Sequence, residues 1–168
     1  SESSSLLFVP VDANNVNAYK KINAVTLPVR YSAKFYKAIV AADDDLAQLV
    51  FYHDVLVGAY ACRLERQEDG SAHVYIMTLG VLAPYRRRRI GSQILDAILA
   101  AAQRRPDVSR VFLNVHVCNE DAISFYKSHG FLVGPKLENY YQRITPPDAY
   151  TVYKDITHDA PAAAADEA

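Results

Sequence analysis

The sequence predicts a single mixed α/β domain, and three observations support this. The chain has 168 residues, of which 51% are hydrophobic, and this suits one domain with a sizeable core. Strand-like and helix-like segments follow one another in the order β-α-α-β-β-β-α-β-α-β-β. Short turns join the early strands and helices connect the later ones. We therefore expect a mixed, mostly antiparallel sheet flanked by helices.

The first part of the chain predicts one strand and two helices. LLFVPV, residues 6–11, has the apolar and β-branched composition of a short strand. VNAYKKINAVTL, 16–27, has apolar residues at helical spacing, and Pro28 breaks this helix. Ser32 is placed to cap a second helix, AKFYKAIVAA, 33–42.

The middle of the chain predicts consecutive strands followed by a helix. LAQLVFY, 46–52, and VLVGAYACRLE, 55–65, are rich in β-branched and aromatic residues. The Asp-Gly pair in QEDGS, 67–71, is a strong hairpin signal before the next strand, HVYIMTLGVL, 73–82. GSQILDAILAAAQRR, 91–105, then has the apolar spacing of a helix.

The last part predicts a strand, a short helix and further strands around a loop. RVFLNVHV, 110–117, is nearly continuous in apolar residues, which indicates that both faces of this strand are covered. NEDAISFYKSHG, 119–130, is a short helix with a glycine as its stop. The low-complexity segment 157–168 is predicted to be disordered, so we expect one globular domain at 6–156 after a flexible lead at 1–5.

Composition and charge argue against several classes of function. A net charge of −1 disfavours direct binding to DNA, which requires a basic surface. No apolar run approaches the ~20 residues of a membrane helix, and no signal peptide is visible. We therefore expect a protein of the cytoplasm, with the nucleus as an additional location, and no membrane contact. Cys62 and Cys118 lie in apolar contexts and are expected to be reduced core thiols.

Four consecutive arginines, Arg86–Arg89, stand between a strong strand and a strong helix. The first N–H groups of a helix lack internal partners, and successive N–H groups of a turn can surround an anion. Arginine side chains add charge and paired donors, so a diphosphate fits this segment better than a carboxylate. Alone, such a run is more often a solvated patch or a docking site for an acidic partner. Its position before a helix favours the phosphate.

Two segments carry a resemblance to a known family. LGVLAPYRRRRIGSQIL resembles motif A of the GNAT acetyltransferases, whose pattern is Q/R-x-x-G-x-G/A, and NEDAISFYKSHGF resembles their second motif, N-x-x-A-x-x-x-Y. The resemblance implies a GNAT fold and acetyl-CoA as cosubstrate. The residues implied to bind acetyl-CoA are Leu79, Val81, Arg86, Arg87, Arg88, Arg89, Ile90, Gly91, Ser92, Asn119 and Tyr126.

Further segments resemble one branch of that family. LPVRY, 27–31, YIMTLG, 75–80, LAPYRR, 82–87, and NYYQRI, 139–144, are together similar to the San-type N-terminal acetyltransferases, the catalytic subunit of NatE. The resemblance covers roughly residues 6–156. It implies that protein N-termini are the substrates, with NatA or the ribosome as candidate docking partners.

One position departs from the family pattern. Arg89 stands where motif A has its first glycine, a residue that allows unusual backbone angles and close backbone approach. If this position has ordinary helical angles, arginine supplies the same N–H group together with a cation. If it requires a positive φ, the phosphate site is damaged. The sequence leaves both readings open.

The resemblance implies three catalytic residues. Tyr75 matches the family's catalytic tyrosine and would orient a water, since the reference pKa of tyrosine, ~10, makes it a weak base at neutral pH. The family's catalytic histidine corresponds to Asn114, and His116 lies two residues further on the same face of the strand. We expect His116 to reach that water with the help of Asn114. A histidine in an apolar strand is otherwise more often structural.

The resemblance also implies an apolar peptide pocket, which favours an N-terminal methionine followed by a hydrophobic residue. Its residues are Leu27, Pro28, Val29, Tyr31, Met77, Tyr140, Tyr141 and Ile144. The alternative for the first four is a helix-breaking turn packed on the core. The histidines have no metal-ligand spacing with cysteines or carboxylates, so we expect no metal site.

Three functions remain in competition. The leading prediction is an acetyl-CoA-dependent Nα-acetyltransferase. A lysine or small-amine acetyltransferase is close to it in chemistry, but the two peptide-pocket segments argue against it. A degenerate, non-catalytic adaptor that docks on NatA or the ribosome is suggested by the departures at Arg89 and Asn114.

Overall fold

The computed structural model describes residues 6–27 and 29–158, so the predicted lead at 1–5, Pro28 and the predicted tail from 159 on lie outside the described residues. The described residues form seven strands, four α helices and a short 3₁₀ helix in the predicted order. The strands are β1 (Leu6–Pro10), β2 (Ala47–Tyr52), β3 (Val55–Arg66), β4 (Ala72–Val81), β5 (Val108–His116), β6 (Leu132–Leu137) and β7 (Ala149–Asp155). The helices are α1 (Val16–Thr26), α2 (Ala33–Val40), α3 (Ile90–Gln103) and α4 (Glu120–Ser128), and the 3₁₀ helix is Ala83–Tyr85.

The described residues group into two compact units, the first within Ser1–Glu65 and Val74–Ala101 and the second within Arg66–His73 and Ala102–Ala168. In the first unit the strands follow the order β1-β2-β3-β4. β2 pairs antiparallel with β1 on one side and with β3 on the other. A tight turn joins β2 to β3, as the sequence predicts, whereas α1 and α2 connect β1 to β2.

Apolar side chains from α1, α2 and the strands form a core cluster in the first unit. Tyr19 and Ile22 lie three residues apart on α1, so they share the face that packs on the sheet. Burying each such side chain contributes about 1.5–3 kcal/mol to folding. The buried members of this core are Val11, Tyr19, Ile22, Ile39, Ala47, Leu49, Ala59 and Ala61.

Local signals in the sequence account for where these elements begin and turn. The Ser32 hydroxyl accepts a hydrogen bond from the Phe35 N–H at 3.2 Å, so serine caps α2 as expected. His53 and Asp54, between β2 and β3, have φ angles of 48° and 68°. Gly70 has a φ of 88° in the turn between β3 and β4, where an Asp-Gly pair predicts a hairpin.

In the second unit the last strand lies between the two before it. β7 pairs antiparallel with β5 and with β6, which gives the order β5-β7-β6. Asn114 on β5 lies directly opposite Thr151 on β7. α4 ends at Ser128, and Gly130, with a φ of 85°, follows as the predicted stop.

Two expectations about burial differ from the structure. Cys62 is buried, but Cys118 is exposed because it follows the end of β5, where the chain turns towards α4; both cysteines are free. On β5, Val111, Leu113 and Val115 are buried, whereas the residues between them are only partly covered. Apolar composition alone therefore overstated the burial of the second face of β5.

Candidate active site

Strand β4 carries three predicted site residues on one face. Its burial alternates, with Val74 and Ile76 buried, and Tyr75, Met77 and Leu79 partly exposed. Residues two apart on a strand point to the same side, so these three side chains share a face. The alternation ends at Gly80, after which Val81 is buried.

Tyr75 has a cationic neighbour that the sequence did not indicate. The guanidinium of Arg63 lies 5.3 Å from the centre of the Tyr75 ring, a cation–π arrangement. A bond of 2.6 Å to Glu65 orients this guanidinium. The sequence signal for Arg63 is a charged residue directly after an apolar run in β3, and that signal does not identify its partner.

The arginine run adopts a turn with two left-handed residues. Arg87 and Arg89 have φ angles of 66° and 61°, and α3 begins directly after them at Ile90. Position 89 therefore has the positive φ of the second reading, a conformation that glycine adopts most easily. The expectation that this angle damages the phosphate site stays a prediction, which binding of acetyl-CoA tests. The left-handed conformation costs a residue with a Cβ about 1–2 kcal/mol.

The surroundings of the arginine run suit a diphosphate. All four arginines are exposed, and the first hydrogen bond of the helix turn runs from the Gln93 N–H to the Arg89 carbonyl at 3.1 Å. The N–H groups that precede it are those a helix leaves without internal partners. Arg86 is extended, with a φ of −68° and a ψ of 156°, so the N–H groups available to an anion are those of the turn after it and of the first turn of α3.

Two of the arginine side chains also contact this segment itself. Arg86 Nε donates to the Val81 carbonyl at 3.1 Å, so the carbonyl of one predicted acetyl-CoA residue is already bound. The Arg88 guanidinium lies 5.5 Å from the centre of the Tyr85 ring. Contacts of this kind reduce the freedom of long side chains and hold the turn in place.

In the first unit, predicted substrate residues line two different cavities. Leu27, Val29 and Tyr31 line a cavity of about 350 Å³ together with α1 residues, whereas Pro28 lies outside the described residues. Met77 lines a second cavity, of about 520 Å³, beneath α2. The structure thus brings three of the predicted substrate residues together and places Met77 apart from that group.

In the second unit, β5 presents Asn114 and His116 on its partly exposed face, as their spacing predicts. Asn114 Nδ2 donates to the Tyr140 hydroxyl at 3.3 Å, and its amide oxygen accepts from the Thr151 hydroxyl at 3.0 Å. His116 Nε2 lies 2.6 Å from the Pro146 carbonyl. Both side chains are therefore hydrogen-bonded, and the sequence indicated neither Thr151 nor Pro146.

The predicted tyrosine pair lies between β6 and β7. The Tyr140 and Tyr141 rings are 5.0 Å apart and nearly perpendicular, and Tyr140 and Ile144 are among the exposed large apolar residues. Burial raises the pKa of the Tyr141 hydroxyl, and the neighbouring Tyr140 adds to this effect. Tyr141 therefore stays protonated at neutral pH and can donate a hydrogen bond.

Asn119 and Tyr126 have structural contacts in the second unit. Asn119 caps α4, because its side-chain oxygen accepts from the Ala122 N–H at 3.1 Å. Tyr126 is 6% exposed, and its ring packs at 5.0 Å from that of Phe125 and 5.3 Å from that of Phe131. Their role in acetyl-CoA binding stays a prediction beside these structural contacts.

The described residues contain neither a cluster of metal ligands nor a helix that could span a membrane. In 6–27 and 29–158, no three His, Cys, Asp or Glu side chains gather where they could hold a metal ion. Among the helices in that part of the chain, none is long and apolar enough to cross a membrane.

The chain is similar to curated proteins over most of its length. The probable N-acetyltransferase san of Drosophila melanogaster is 40% identical over 158 residues, which are 94% of this chain and 85% of that protein. N-alpha-acetyltransferase 50 of Danio rerio is 38% identical over 146 residues, which are 87% of this chain and 86% of that protein.

The structure and the sequence agree with one family. Arabidopsis thaliana Naa50, solved in complex with the bisubstrate analogue CoA-Ac-MVNAL, superposes with a TM-score of 0.83 and 43% identity, covering 90% of this chain and 99% of that one. This similarity confirms the predicted GNAT fold. The acetyltransferase (GNAT) family also matches residues 15–131 directly. The chain therefore belongs to the GNAT acetyltransferase family.

Proposed function

We propose that the chain is an acetyl-CoA-dependent enzyme that acetylates the α-amino group of protein N-termini. The observation that carries this proposal is the arginine run, whose left-handed residues Arg87 and Arg89 lead into the N terminus of α3. Such a turn fits the diphosphate of a CoA thioester. The similarity to san and to N-alpha-acetyltransferase 50 supports the N-terminal amine as acceptor.

The acetyl-CoA site is proposed to use the turn and the residues around it. Backbone N–H groups of residues 87–92 would bind the diphosphate oxygens, and the exposed arginine side chains would add charge. Leu79 and Val81 on β4 would contact the pantetheine arm, and Asn119 and Tyr126 would lie along it. Bound acetyl-CoA would supply the thioester carbonyl that the amine attacks.

The proposed substrate is an N-terminal methionine followed by a hydrophobic residue. Leu27, Val29 and Tyr31 offer an apolar surface, and Tyr140 with Tyr141 offer hydroxyls for the peptide backbone. The analogue bound to the Arabidopsis relative carries the peptide MVNAL, which has this pattern. We also propose that the protein is cytoplasmic and that it belongs to a NatE assembly docked on NatA or the ribosome.

The chemistry requires a neutral amine and a route for its proton. A free α-amino group has a pKa near ~8, so part of it is neutral at cellular pH. Its nitrogen attacks the thioester carbonyl, the C–S bond breaks, and the thiolate leaves. We propose that Tyr75, Asn114 and His116 orient the water that accepts the amine proton. For His116 the accepting nitrogen is Nδ1, because Nε2 faces a carbonyl.

Titration calorimetry with acetyl-CoA, followed by turnover of a Met-Leu peptide with one internal lysine, tests the proposal. We expect binding, and acetylation at the N terminus alone by mass spectrometry. A matched peptide with a blocked N terminus is the control and should not react. Acetylation of the lysine would instead support the lysine acetyltransferase. Binding of the cosubstrate without turnover would support the adaptor, and absence of binding would show that Arg89 destroys the site.

A further inference from the structure

The loop between β6 and β7, residues 138–148, contains the tyrosines proposed to cover the peptide. We infer that His116 is a positioning residue that holds this β6–β7 loop in its peptide-binding conformation, with Asn114 as its partner. The inference rests on the proposed function, because the loop matters only if a peptide binds beneath it. It adds a role that is separate from any contact of His116 with water.

His116 makes two contacts with the loop. Its Nε2 lies 2.6 Å from the Pro146 carbonyl oxygen, and its ring lies 5.4 Å from the Tyr141 ring in an edge-to-face arrangement. A carbonyl oxygen only accepts hydrogen bonds, so Nε2 must carry a proton. His116 therefore donates to the loop backbone from one nitrogen and packs against one of the loop tyrosines.

Asn114 makes the corresponding contact with the other tyrosine. The Thr151 hydroxyl donates to the Asn114 side-chain oxygen at 3.0 Å, and this bond fixes the orientation of the amide. Nδ2 then points to the Tyr140 hydroxyl, 3.3 Å away. Because Tyr140 accepts this bond, its own hydroxyl hydrogen is free for another acceptor. Each of the two β5 side chains thus holds one tyrosine.

The rest of the loop has few bonds that would hold it without these side chains. Within the loop, the Tyr141 N–H donates to the Pro147 carbonyl at 2.8 Å, and the Asn139 N–H donates to the Asp148 carboxylate at 2.9 Å. One backbone bond ties the end of the loop to the chain after β5, from the Val117 N–H to the Asp148 carbonyl at 3.1 Å. The loop contains no regular strand or helix among its described residues. Segments with few bonds open locally at low cost, without unfolding the unit. Loss of the His116 bond should therefore loosen the loop and spare the fold.

The test compares His116→Ala with His116→Gln in the full chain. Glutamine keeps a side-chain N–H at a similar reach, whereas alanine removes it. Steady-state kinetics would use the Met-Leu peptide and acetyl-CoA as the varied substrates. We expect His116→Ala to raise the peptide KM about fivefold to tenfold, the loss of one hydrogen bond, with the acetyl-CoA KM unchanged. His116→Gln should restore most of the peptide KM.

The kinetic parameters separate this role from the role with water. Both His116→Ala and His116→Gln lose the imidazole contact with water, so that role would lower kcat in both variants. Only His116→Ala loses the bond to the loop, so the loop role would raise the peptide KM in that variant alone. A peptide KM in His116→Ala equal to that of the wild type would overturn the inference. Equal defects in the peptide KM of both variants would overturn it too.

A second measurement is independent of catalysis. Arg143 lies in the β6–β7 loop, so trypsin can cut after it when the loop opens, and mass spectrometry can follow the resulting fragment. We expect faster cleavage at Arg143 in His116→Ala than in the wild type or His116→Gln. Unchanged cleavage in His116→Ala would contradict the inference. If the wild type acetylates no peptide, the proposed function fails, while this measurement still decides whether His116 holds the loop.

A matched control uses another histidine of the second unit. His129 Nδ1 lies 2.9 Å from the Phe125 carbonyl at the end of α4, away from the loop in sequence. His129→Ala removes a histidine–carbonyl contact of the same kind. It should change neither the peptide KM nor cleavage at Arg143. If His129→Ala changed both as much as His116→Ala does, the effects would come from a general loosening of the second unit, and the inference would be wrong.

Discussion

Arg89 holds a left-handed backbone, with a φ of 61°, at the start of α3. A side chain at this angle crowds the following carbonyl oxygen, and glycine avoids that cost. The direction of the N–H groups depends on the backbone angles and not on the side chain. Arginine therefore leaves the backbone shape of the proposed anion site unchanged and adds a cation, at some cost in stability.

Replacement of Arg89 by glycine should therefore stabilise the fold. We expect Arg89→Gly to raise the free energy of unfolding by about 1 kcal/mol, since it removes the steric cost of the left-handed angle. The same variant should lose part of the salt dependence of acetyl-CoA binding, because one cation is gone. Urea unfolding and calorimetry at low and high salt measure the two effects.

Arg89→Ala is the matched variant for this prediction. Alanine also lacks the guanidinium but keeps the Cβ, so it should lose the same part of the salt dependence without gaining stability. Equal stability of the glycine and alanine variants would show that the left-handed angle at position 89 carries no cost.

At the scale of elements, α2 is a short helix that depends on its ends. It has eight residues, Ala33–Val40, and isolated helices of that length are not stable in water. Its first turn is bonded by Ser32, and its inner face buries Ile39 in the core of the first unit. The cap and the packing together hold the helix that forms one wall of the cavity beside Met77.

Removal of the Ser32 cap should weaken this helix. Ser32→Ala leaves the Phe35 N–H without its side-chain acceptor, and we expect the free energy of unfolding to fall by about 1 kcal/mol. Urea denaturation measures the difference. Ser32→Asp keeps an acceptor and should stay within a few tenths of a kcal/mol of the wild type. The prediction fails if the alanine variant is as stable as the aspartate variant.

At the scale of the whole molecule, a buried tyrosine links the fold to pH. Tyr19 is 0% exposed, and its hydroxyl lies 2.7 Å from that of Thr78 on β4. Burial raises the pKa of Tyr19 to about 12, against the lowering effect of its polar neighbours Asn23 and Thr78. The unfolded chain releases this proton near pH 10, and the folded chain retains it until about pH 12.

The sign of the resulting pH dependence follows from proton binding. Between pH 10 and 12 the unfolded state binds fewer protons than the folded state, so stability falls as pH rises. We expect Tyr19 to contribute a loss of up to about 3 kcal/mol across this window and none below it. Urea unfolding at several alkaline pH values should show the loss in the wild type and a smaller slope in Tyr19→Phe.

Tyr19 is one of twelve tyrosines in the chain, so a control is needed. Tyr140→Phe removes an exposed tyrosine and should keep the alkaline slope of the wild type. An equal slope in Tyr19→Phe and the wild type would contradict the assignment. Tyr19→Phe should also be about 1 kcal/mol less stable at neutral pH, because Thr78 loses its partner.

Much of the molecule follows from local sequence patterns. The order of helices and strands, the Ser32 cap, the Asp-Gly turn before β4 and the helix stop at Gly130 were all predicted and are confirmed. Each depends on residues close in the chain, whose preferences act through neighbouring backbone angles. The family assignment likewise came from short motifs, because such motifs carry backbone requirements that few folds share.

Tertiary structure decided what depends on residues distant in the chain. The contact of His116 with Pro146, the bond of Thr151 to Asn114 and the position of Arg63 over Tyr75 join side chains from separate elements. No periodicity or spacing encodes these pairs, since they follow from strand order and loop path. By itself the sequence determined the order of the elements and the family of the chain. Only the folded chain decided which partners each side chain meets, because a hydrogen bond acts over about 3 Å in space, whatever the separation in sequence.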